Sequence, residues 1–384
     1  MKILQLGKFY PIRGGVEKVM WALTFALAER GIACDMLCAM LPDDPVDVDH
    51  VALTEDTAEG RVISFSPENR VFCVPALAKK AKTMISPAMV RWLRRHAAQY
   101  DIIHIHHPDP MAAVALRLSG YKGRVILHWH SDIVSQKMLL AFYWPLQSWL
   151  VRRASLIIGT TPVYLRESHA LKQVQEKTAC VPIGINPVFY DSREADAFRD
   201  TMPGKKIVFA LGRLVPYKGF GTLVEAARYL EDDYEVLIGG EGPMHDELVR
   251  MIAGYGLENK VRLLGYVQNW EVPVLFGACD IYVMSSQMKT EAFGIVQIEA
   301  MSCGKPVVAT SIPQSGVSWV NQDGVSGLNV PPCDPKAMAE AIRRICSDPD
   351  VYLQYAAGAM ERFETYFTSR VMIDKIINIY ESKN

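Results

Sequence analysis

The chain has 384 residues, of which 50% are hydrophobic and 22% are charged, the composition of a folded globular protein rather than a disordered one. This length exceeds one ordinary domain core and predicts two domains. The formal net charge of −1 gives no overall positive field, which argues against binding nucleic acid through bulk charge. The eight cysteines include no CxxC pair, so we expect reduced thiols rather than a disulfide framework.

The N-terminal residues MKILQLGKFYP predict a short strand interrupted by Lys8, without the apolar core or cleavage site of a signal peptide. The longest apolar stretch, 138–150, contains Pro145 and two polar residues. It is shorter than the roughly 20 apolar residues that a membrane-spanning helix needs. We therefore expect a cytoplasmic protein.

The first half of the chain alternates short apolar runs with helical patterns, which predicts a parallel sheet built from βα units. After a first strand at 2–7, Gly14 and Gly15 open a helix whose apolar residues recur at helical spacing. Gly31 is predicted to end that helix. The later strands of this half are predicted at 34–38, 102–105, 125–128, 156–158 and 179–181.

The segment 181–190 contains two prolines and a glycine, and it predicts a linker after which the strand–helix pattern restarts. The strands of the second half are predicted at 207–211, 235–238, 261–263, 281–284, 306–309 and 327–330. The central break favours two doubly wound domains, 1–186 and 187–365, over a single (β/α)8 barrel. A last helical segment, 366–384, is expected to cross back to the first domain.

Ligands of doubly wound sheets bind beyond the carboxyl ends of the strands, so the loops there carry the candidate site. The strand at 207–211 is followed by Arg213 and Lys218. A helix is predicted to begin near Gly219. Two cations beside a helix N-terminus suit a diphosphate, because the charges and the free N–H groups both attract an anion. Two solvated surface cations are the alternative.

The segment EAFGIVQIEAMSCGKPVVAT gives the strongest signal. Seven residues separate Glu291 from Glu299, and Phe293 and Gly294 between them are predicted to open a helix. Carboxylates accept hydrogen bonds from hydroxyls such as those of a ribose or a hexose. Backbone amides at a helix start bind phosphate without any side chain. The amides at this helix start are those of Gly294, Ile295 and Val296.

A glycine-rich turn, IGGEGP, follows the strand predicted at 235–238. Gly240 in this turn would let the backbone approach a ligand closely, because glycine has no side chain to keep it away. A plain tight turn fits the same residues.

Histidines are frequent in the first half. His104 and His106 share one face of a predicted strand, and His107 points to the other. No third ligand occurs at a usual zinc spacing, so we expect no metal site there. We interpret His106 and His107 as lining the acceptor side of the site.

Together these motifs resemble the retaining GT-B glycosyltransferases of family 4, and the resemblance covers essentially the whole chain. It rests on the first strand with its glycine pair, the Gly-Arg…Lys-Gly loop, the Glu-x7-Glu element and the GKPVVAT strand. The resemblance implies an α/β fold of two Rossmann-like domains facing a cleft. It further implies that Glu291 contacts donor-sugar hydroxyls, Glu299 holds the ribose, and Arg213 and Lys218 hold the diphosphate.

The same resemblance implies roles for residues that spacing alone does not single out. His130, in the HWHSD segment after the strand at 125–128, is expected to be the active-site histidine near the donor sugar. Tyr266 and Val267 are expected beside the nucleobase. Gly15 is expected on the donor side and Gly14 on the acceptor side.

The implied reaction transfers a hexose from a nucleotide sugar to a glycan or lipid-linked glycan, with retention and without a metal ion or other cofactor. The N-terminal stretch is most similar to bacterial mannosyltransferases of O-antigen and surface polysaccharide assembly, which suggests GDP-mannose. UDP-sugars stay open as donors. A non-catalytic GT-B subunit that binds a glycan is the alternative from another class. A GT-B phosphorylase would need a pyridoxal-phosphate lysine, which nothing marks.

The segment 70–95 carries seven cations and no acidic residue, interleaved with apolar side chains. We weigh two interpretations, a peripheral contact with anionic lipid and an ordinary solvated surface. The cations are Arg70, Lys79, Lys80, Lys82, Arg91, Arg94 and Arg95.

Two other motifs have simpler interpretations. The sequence Asp47-Val48-Asp49 mimics a DxD metal motif, but it lies in a loop rich in proline and aspartate, so we interpret it as solvated. A dinucleotide-dependent oxidoreductase needs GxGxxG after the first strand, where this chain has GKFYPIRGG.

Overall fold

The structure is a computed structural model that describes residues 1–12, 14–45, 53–66, 68–80, 83–133 and 137–382, without the side chains of 137–142. The Asp47-Val48-Asp49 sequence and Lys82 lie outside the described residues. The chain divides into two compact units, Met1–Val181 with Ile373–Asn384, and Pro182–Met372. All eight cysteines are free, as expected.

The first unit is an α/β sandwich. Its strands are β1 Lys2–Phe9, β2 Ala33–Met40, β3 Leu53–Thr57, β4 Gly60–Ser66, β5 Asn69–Pro75, β6 Ala78–Lys80, β7 Thr83–Ile85, β8 Ile102–His107, β9 Arg124–Trp129, β10 Leu156–Gly159 and β11 Thr178–Cys180. Its helices before the second unit are α1 Gly15–Glu29, α2 Pro87–His96, α3 Pro110–Ser119, α4 Lys137–Arg153 and α5 Pro162–Glu167. Short 3-10 helices lie at Ala97–Gln99, His169–Leu171 and Gln175–Lys177.

Within the described residues of this unit, nine strands pair into one sheet in the order β11-β10-β9-β8-β1-β2-β5-β4-β3. The pairs from β11 to β5 are parallel, as predicted. Strands β4 and β3 extend the sheet antiparallel, an extension that the sequence analysis missed. The reason is that β3 is exposed at every residue and has no apolar pattern to reveal it.

Helix α1 follows the first strand as the apolar spacing predicts. The helix begins at Gly15, and the residue before it, Gly14, is extended. Gly31, two residues after the helix ends at Glu29, adopts the left-handed conformation with φ +72°. The buried apolar residues of the helix are Val19, Met20, Leu23 and Leu27.

The second unit has a smaller sheet. Its strands are β12 Lys206–Leu211, β13 Tyr234–Gly239, β14 Val261–Gly265, β15 Ile281–Met284, β16 Val307–Thr310 and β17 Gly327–Val330. The helices of the remaining chain are α6 Ser192–Arg199, α7 Phe220–Ala226, α8 His245–Tyr255, α9 Glu271–Ala278, α10 Ile295–Ser302, α11 Val317–Val320, α12 Pro335–Cys346, α13 Pro349–Tyr366 and α14 Ser369–Glu381. Short 3-10 helices lie at Pro216–Lys218 and Ala227–Tyr229.

The six strands described in this unit are all parallel and lie in the order β14-β13-β12-β15-β16-β17. Counted along the chain this is 3-2-1-4-5-6, the order of dinucleotide-binding doubly wound sheets. The parallel part of the first sheet has the corresponding order around β1. Each unit therefore has a reversal of strand order beside its first strand, β1 in one and β12 in the other.

The C-terminal helix α14 completes the first unit, since residues from Ile373 onward belong to it. The Arg124 guanidinium donates to the carbonyl oxygens of Ile379 and Tyr380, each at 2.8 Å. Arg30 forms an exposed ion pair with Asp374 at 2.9 Å. The described part of the chain contains no helix long and apolar enough to cross a membrane.

The unit boundaries differ from the predicted ones at 186 and 365. The first stretch of the chain leaves the first unit after Val181, because Ile185 is already held by the second unit. Its amide donates to the Phe367 carbonyl, and its carbonyl accepts from the Ser369 amide, both at 2.8 Å. Helices α13 and α14 are separated by only two residues, Phe367 and Thr368, so the predicted segment 366–384 begins within α13.

We expect Arg124→Ala to lower the free energy of unfolding by about 1–3 kcal/mol, because two partly buried carbonyls at the end of α14 lose a charged donor. Arg30→Ala is the matched control, because it removes another arginine that contacts α14, through Asp374. Its exposed ion pair is worth less than about 1 kcal/mol. Urea unfolding followed by fluorescence measures both variants, and equal shifts of the midpoint would contradict the anchoring role of Arg124.

Candidate functional site

The sheet order of the second unit defines where its ligand site lies. Ligands of such sheets bind beyond the carboxyl ends of the strands that flank the reversal, here β12 and β15. The chain leaves β12 into the loop that carries Arg213 and Lys218, and it leaves β15 into the segment that ends at Glu291. The register of the sheet thus brings two predicted motifs, distant in sequence, to one edge.

Lys218 and Glu291 form the centre of this site. The Lys218 Nζ lies 2.5 Å from the Glu291 Oε2, and both side chains are 13% exposed. The Ser286 hydroxyl also donates to this carboxylate oxygen, at 3.1 Å. The Ser285 hydroxyl donates to the Lys218 carbonyl at 2.9 Å, which ties the two loops together. A half-buried ammonium and a carboxylate are therefore held side by side.

The loop that carries Arg213 is packed by a glycine contact. Gly240 has φ +133°, and a Cβ on it would overlap the Gly212 carbonyl. Its amide also donates to the Gly265 carbonyl at 2.7 Å. Gly240 therefore holds the ends of three strands together. Arg213 itself is exposed at this edge.

Helix α10 presents its N-terminus at the same edge of the sheet. Gly294 precedes it in the left-handed region with φ +76°, a conformation that glycine adopts without strain. The first-turn amides of Ile295 and Val296 have no acceptor within their own helix. The Phe293 side chain is buried against Phe367, with ring centroids 5.9 Å apart, so only its backbone is available to a ligand.

The two glutamates of the Glu-x7-Glu element act on one buried hydroxyl. Burial, with the charges of Glu291 and Glu299 added to it, raises the pKa of the Tyr282 phenol well above its usual value. Glu299 is half-buried on α10. Both carboxylates are therefore close enough to Tyr282, on β15, to disfavour its charged form. Tyr282 was missed because an aromatic residue in a buried strand has the pattern of ordinary core.

The loop after β14 borders an apolar cavity of about 240 Å³. Tyr266 and Val267 line it, together with Trp270, whose side chain is 71% exposed. Val267 packs at the end of β13, because a Cβ on Gly239 would meet its methyl group. The predicted base loop thus has a concave apolar wall, and Trp270 is an addition that the sequence analysis did not name.

In the first unit, His130 follows β9 and is buried with a neighbouring histidine. Its Nε2 lies 2.9 Å from the His106 Nδ1, and its amide donates to the His107 carbonyl. Burial, with smaller contributions from His128 and from the charge of Lys8, lowers the pKa of His130 well below its usual value. The imidazole is therefore neutral at physiological pH.

His106 and His107, which the sequence analysis interprets as lining the acceptor side, have buried side chains. His106 lies between His130 and Gln5, with its Nε2 2.7 Å from the Gln5 Oε1. His107 points to the other face of the sheet, as predicted, and stacks on Trp129 with centroids 3.8 Å apart. Burial lowers the pKa of His107 to about 3.

The structure brings a third histidine, His128, beside His104 and His106, although the sequence spacing indicates no third metal ligand. Among the described residues, His104, His106 and His128 offer ligand atoms within 4.8 Å of one another, because the register places His106 beside His128. The rings, however, are stacked with interplanar angles of 13–27°. Parallel rings do not aim their lone pairs at one point, and both nitrogens of His106 are already hydrogen-bonded.

The reversal of order in the first sheet lies between β1 and β8. Asp109 after β8 caps α3 with one carboxylate oxygen and accepts from the Lys8 amide with the other. The Lys8 Nζ donates to the Pro108 carbonyl at 2.5 Å. The predicted Gly14 and Gly15 lie at the start of α1, which follows β1. Among the described residues, this edge therefore carries polar backbone groups and the ammonium of Lys8.

The segment 70–95 does not form one free basic surface. Arg70 pairs with the buried Asp35 at 3.1 Å, and Arg95 pairs with Glu59 at 2.6 Å. The remaining described cations are divided between a hairpin and a helix. Lys79 and Lys80 are on β6, and Arg91 and Arg94 are on α2.

Comparison with known proteins places the chain among glycosyltransferases. Residues 192–362 match the family model of glycosyl transferases group 1, and residues 13–189 match that of glycosyltransferase family 4. The O-antigen chain mannosyltransferase C of Escherichia coli is 31% identical over 99% of this chain and 98% of its own length. The D-rhamnosyltransferase WbpZ of Pseudomonas aeruginosa is 31% identical over 75% of each chain.

Solved structures show the same fold. A sucrose-phosphate synthase from Thermosynechococcus elongatus matches with a TM-score of 0.77 and 24% identity, over 99% of this chain and 98% of its own. Anabaena HepE, in complex with UDP and glucose, matches with a TM-score of 0.74 and 22% identity over the full length of both chains.

We expect Gly240→Ala to destabilise the second unit by about 1–3 kcal/mol and to weaken ligand binding, because the added methyl group must displace the Gly212 backbone beside Arg213. Gly254→Ala is the control, since this helical glycine has no atom within 4 Å of an added Cβ. That change should leave stability unchanged or raise it by up to about 1 kcal/mol. Thermal unfolding distinguishes the two, and a neutral Gly240→Ala would contradict the packing argument.

Proposed function

The chain belongs to glycosyltransferase family 4 and has the GT-B fold, and from this membership we propose that it transfers a hexose from a nucleotide sugar with retention of configuration. The observation that carries the proposal is the contact of Lys218 with Glu291 at the reversal of the second sheet. It joins an ammonium, which suits a leaving diphosphate, to a carboxylate, which suits sugar hydroxyls.

Each remaining group of this edge has a part in the proposal. Arg213 adds a second cation for the diphosphate, and the amides of Ile295 and Val296 bind phosphate oxygens at the start of α10. Glu299 holds the ribose. Tyr266 and Val267 line the cavity of about 240 Å³ that receives the nucleobase.

In the proposed reaction the acceptor hydroxyl oxygen bonds to the anomeric carbon on the face from which the diphosphate departs. The bond between that carbon and the phosphate oxygen breaks, and the diphosphate leaves with the electron pair. The acceptor proton passes to the departing phosphate oxygen. Arg213 and Lys218 stabilise the developing negative charge, so that no metal ion is needed. His130, neutral through burial, orients the sugar.

GDP-mannose is the proposed donor, and UDP-hexoses are the alternative. Support comes from the relative named as an O-antigen chain mannosyltransferase, which aligns over nearly the whole chain. A phosphatidyl-myo-inositol mannosyltransferase of Mycobacterium leprae is 27% identical over 97% of this chain and 94% of its own length. These names favour a lipid-linked or oligosaccharide acceptor in surface polysaccharide synthesis on the cytoplasmic face of the membrane. The exposed Lys79 and Lys80 of the β6 hairpin would then face anionic lipid.

We expect GDP, and GDP-mannose more strongly, to raise the melting temperature, because a ligand that binds only the folded state stabilises it. Lys218→Met should weaken binding about tenfold or more, since a charge-assisted hydrogen bond is worth roughly 1.5–3 kcal/mol. Lys336→Met, on α12, is the matched control and should bind as the wild type does. A wild-type protein that responds to no guanine, uracil or adenine nucleotide would contradict the proposed function.

We expect the rate of sugar transfer to be unchanged by EDTA, because the two cations replace a metal ion at the diphosphate. Arg213→Met should lower kcat in the same assay by about tenfold or more, since it removes one stabilising charge. Product formation with a labelled donor measures both. A rate that falls in EDTA and returns with added Mg²⁺ would overturn the metal-independent mechanism.

A further inference from the structure

A chain of hydrogen bonds connects His130 to the C-terminal helix through the buried face of the first sheet. The His130 Nε2 meets the His106 Nδ1 at 2.9 Å, and the His106 Nε2 meets the Gln5 Oε1 at 2.7 Å. The Gln5 Nε2 lies 3.2 Å from the Tyr380 Oη, which lies 2.5 Å from the His104 Nδ1. All five side chains are at most 6% exposed.

The carboxamide of Gln5 sets the direction of this chain. Its nitrogen can only donate, and it faces the Tyr380 hydroxyl and the Cys34 sulfur. Its oxygen can only accept, so the facing His106 Nε2 must carry a hydrogen. The Tyr380 hydroxyl, which accepts from Gln5, has its own hydrogen left to donate to His104.

The single proton of each neutral imidazole extends this direction to His130. With its hydrogen on Nε2, His106 has a bare Nδ1 that can only accept, so the His130 Nε2 must donate to it. Burial lowers the pKa of both His106 and His130 well below the usual value, and the Lys8 charge acts in the same direction. Both rings are therefore neutral, and the Nδ1 of His130 is bare.

We propose that Gln5 and Tyr380 are positioning residues that hold His130 as its Nε2–H tautomer, leaving Nδ1 as the atom that accepts from the substrate. The catalytic part of this inference rests on the proposed function, in which His130 orients the donor sugar. The donors all point the same way, from His130 through His106 and Gln5 to His104. Such a chain is strengthened by mutual polarisation of its bonds.

A lone-pair acceptor and an N–H donor are not interchangeable in an active site. An Nδ1 with a lone pair can accept a hydrogen bond from a sugar hydroxyl. It can also face the positive charge that develops on the sugar ring during the reaction. The opposite tautomer would present an N–H group there and lose both interactions. Fixing the tautomer therefore fixes what His130 can do, as it does for histidines that are oriented by a third group.

The test uses the full-length protein with ¹⁵N-labelled histidine, because imidazole nitrogens that carry hydrogen differ in NMR shift from bare ones. The His130 signals, identified by their loss in His130→Asn, should show Nε2 protonated and Nδ1 bare in the wild type. Gln5→Met removes the acceptor at similar length, and Tyr380→Phe removes only a hydroxyl. Each should give a mixture of His130 tautomers.

Tyr100→Phe is the matched control. It removes another buried hydroxyl of the same unit. This hydroxyl is hydrogen-bonded to Asp35 and takes no part in the series of hydrogen bonds from His130 to His104. Tyr100→Phe should lower the melting temperature without changing the tautomer of His130. Thermal unfolding of all variants verifies that they are folded.

In the transferase assay, Gln5→Met and Tyr380→Phe should lower kcat about tenfold with little change in KM, the size of effect expected when one hydrogen bond to the reacting sugar is lost. An Nδ1-protonated His130 in the wild type, or an unchanged tautomer in both variants, would overturn the inference. So would an unchanged kcat in both. The NMR measurement needs no substrate, so it tests the tautomer of His130 independently of the proposed function. The tautomer inference can therefore fail while nucleotide binding is confirmed, and nucleotide binding can fail while the tautomer is confirmed.

Discussion

The first strand of each unit lies inside its sheet, with later strands on both sides, and the rest of the molecule depends on this constraint. Strand β1 lies between β2 and β8, and β12 lies between β13 and β15. Connections on the two sides of such a strand diverge, which leaves a crevice beyond its carboxyl end. At that crevice the Lys218 ammonium contacts the Glu291 carboxylate in the second unit. In the first unit the Lys8 amide donates to the Asp109 carboxylate there.

The two units use opposite electrostatic means at these edges. In the second, the ammonium of Lys218 and the carboxylate of Glu291 are charged, largely buried and paired with each other. In the first, the imidazoles are neutral because burial disfavours their charged form, and hydrogen bonds fix their orientation. The charged edge suits binding, while the neutral one suits the fixed presentation of a single atom.

Sequence alone predicted the features that depend on local order. Lys218 and Glu291 follow strand ends, Glu299 lies on the next helix as predicted, and the apolar spacing predicts α1 almost to the residue. Features that depend on register between strands were not predictable. His128 joins His104 and His106 only through the β8–β9 pairing. The hydrogen-bond partners of these histidines are likewise far from them in sequence, since His106 contacts Gln5 and His104 contacts Tyr380 on α14.

The discontinuity of the first unit has a consequence for the order of events during synthesis. Residues 1–181 of the first unit are synthesised first, but the first unit lacks its last helix until residues 373–384 have also been synthesised. The second unit is contiguous from Pro182 to Met372, so its whole sequence is available earlier. Tyr380, which hydrogen-bonds Gln5, is synthesised after the whole of the second unit. The hydrogen bonds between Gln5, Tyr380 and His104 can therefore form only after α14 has been made.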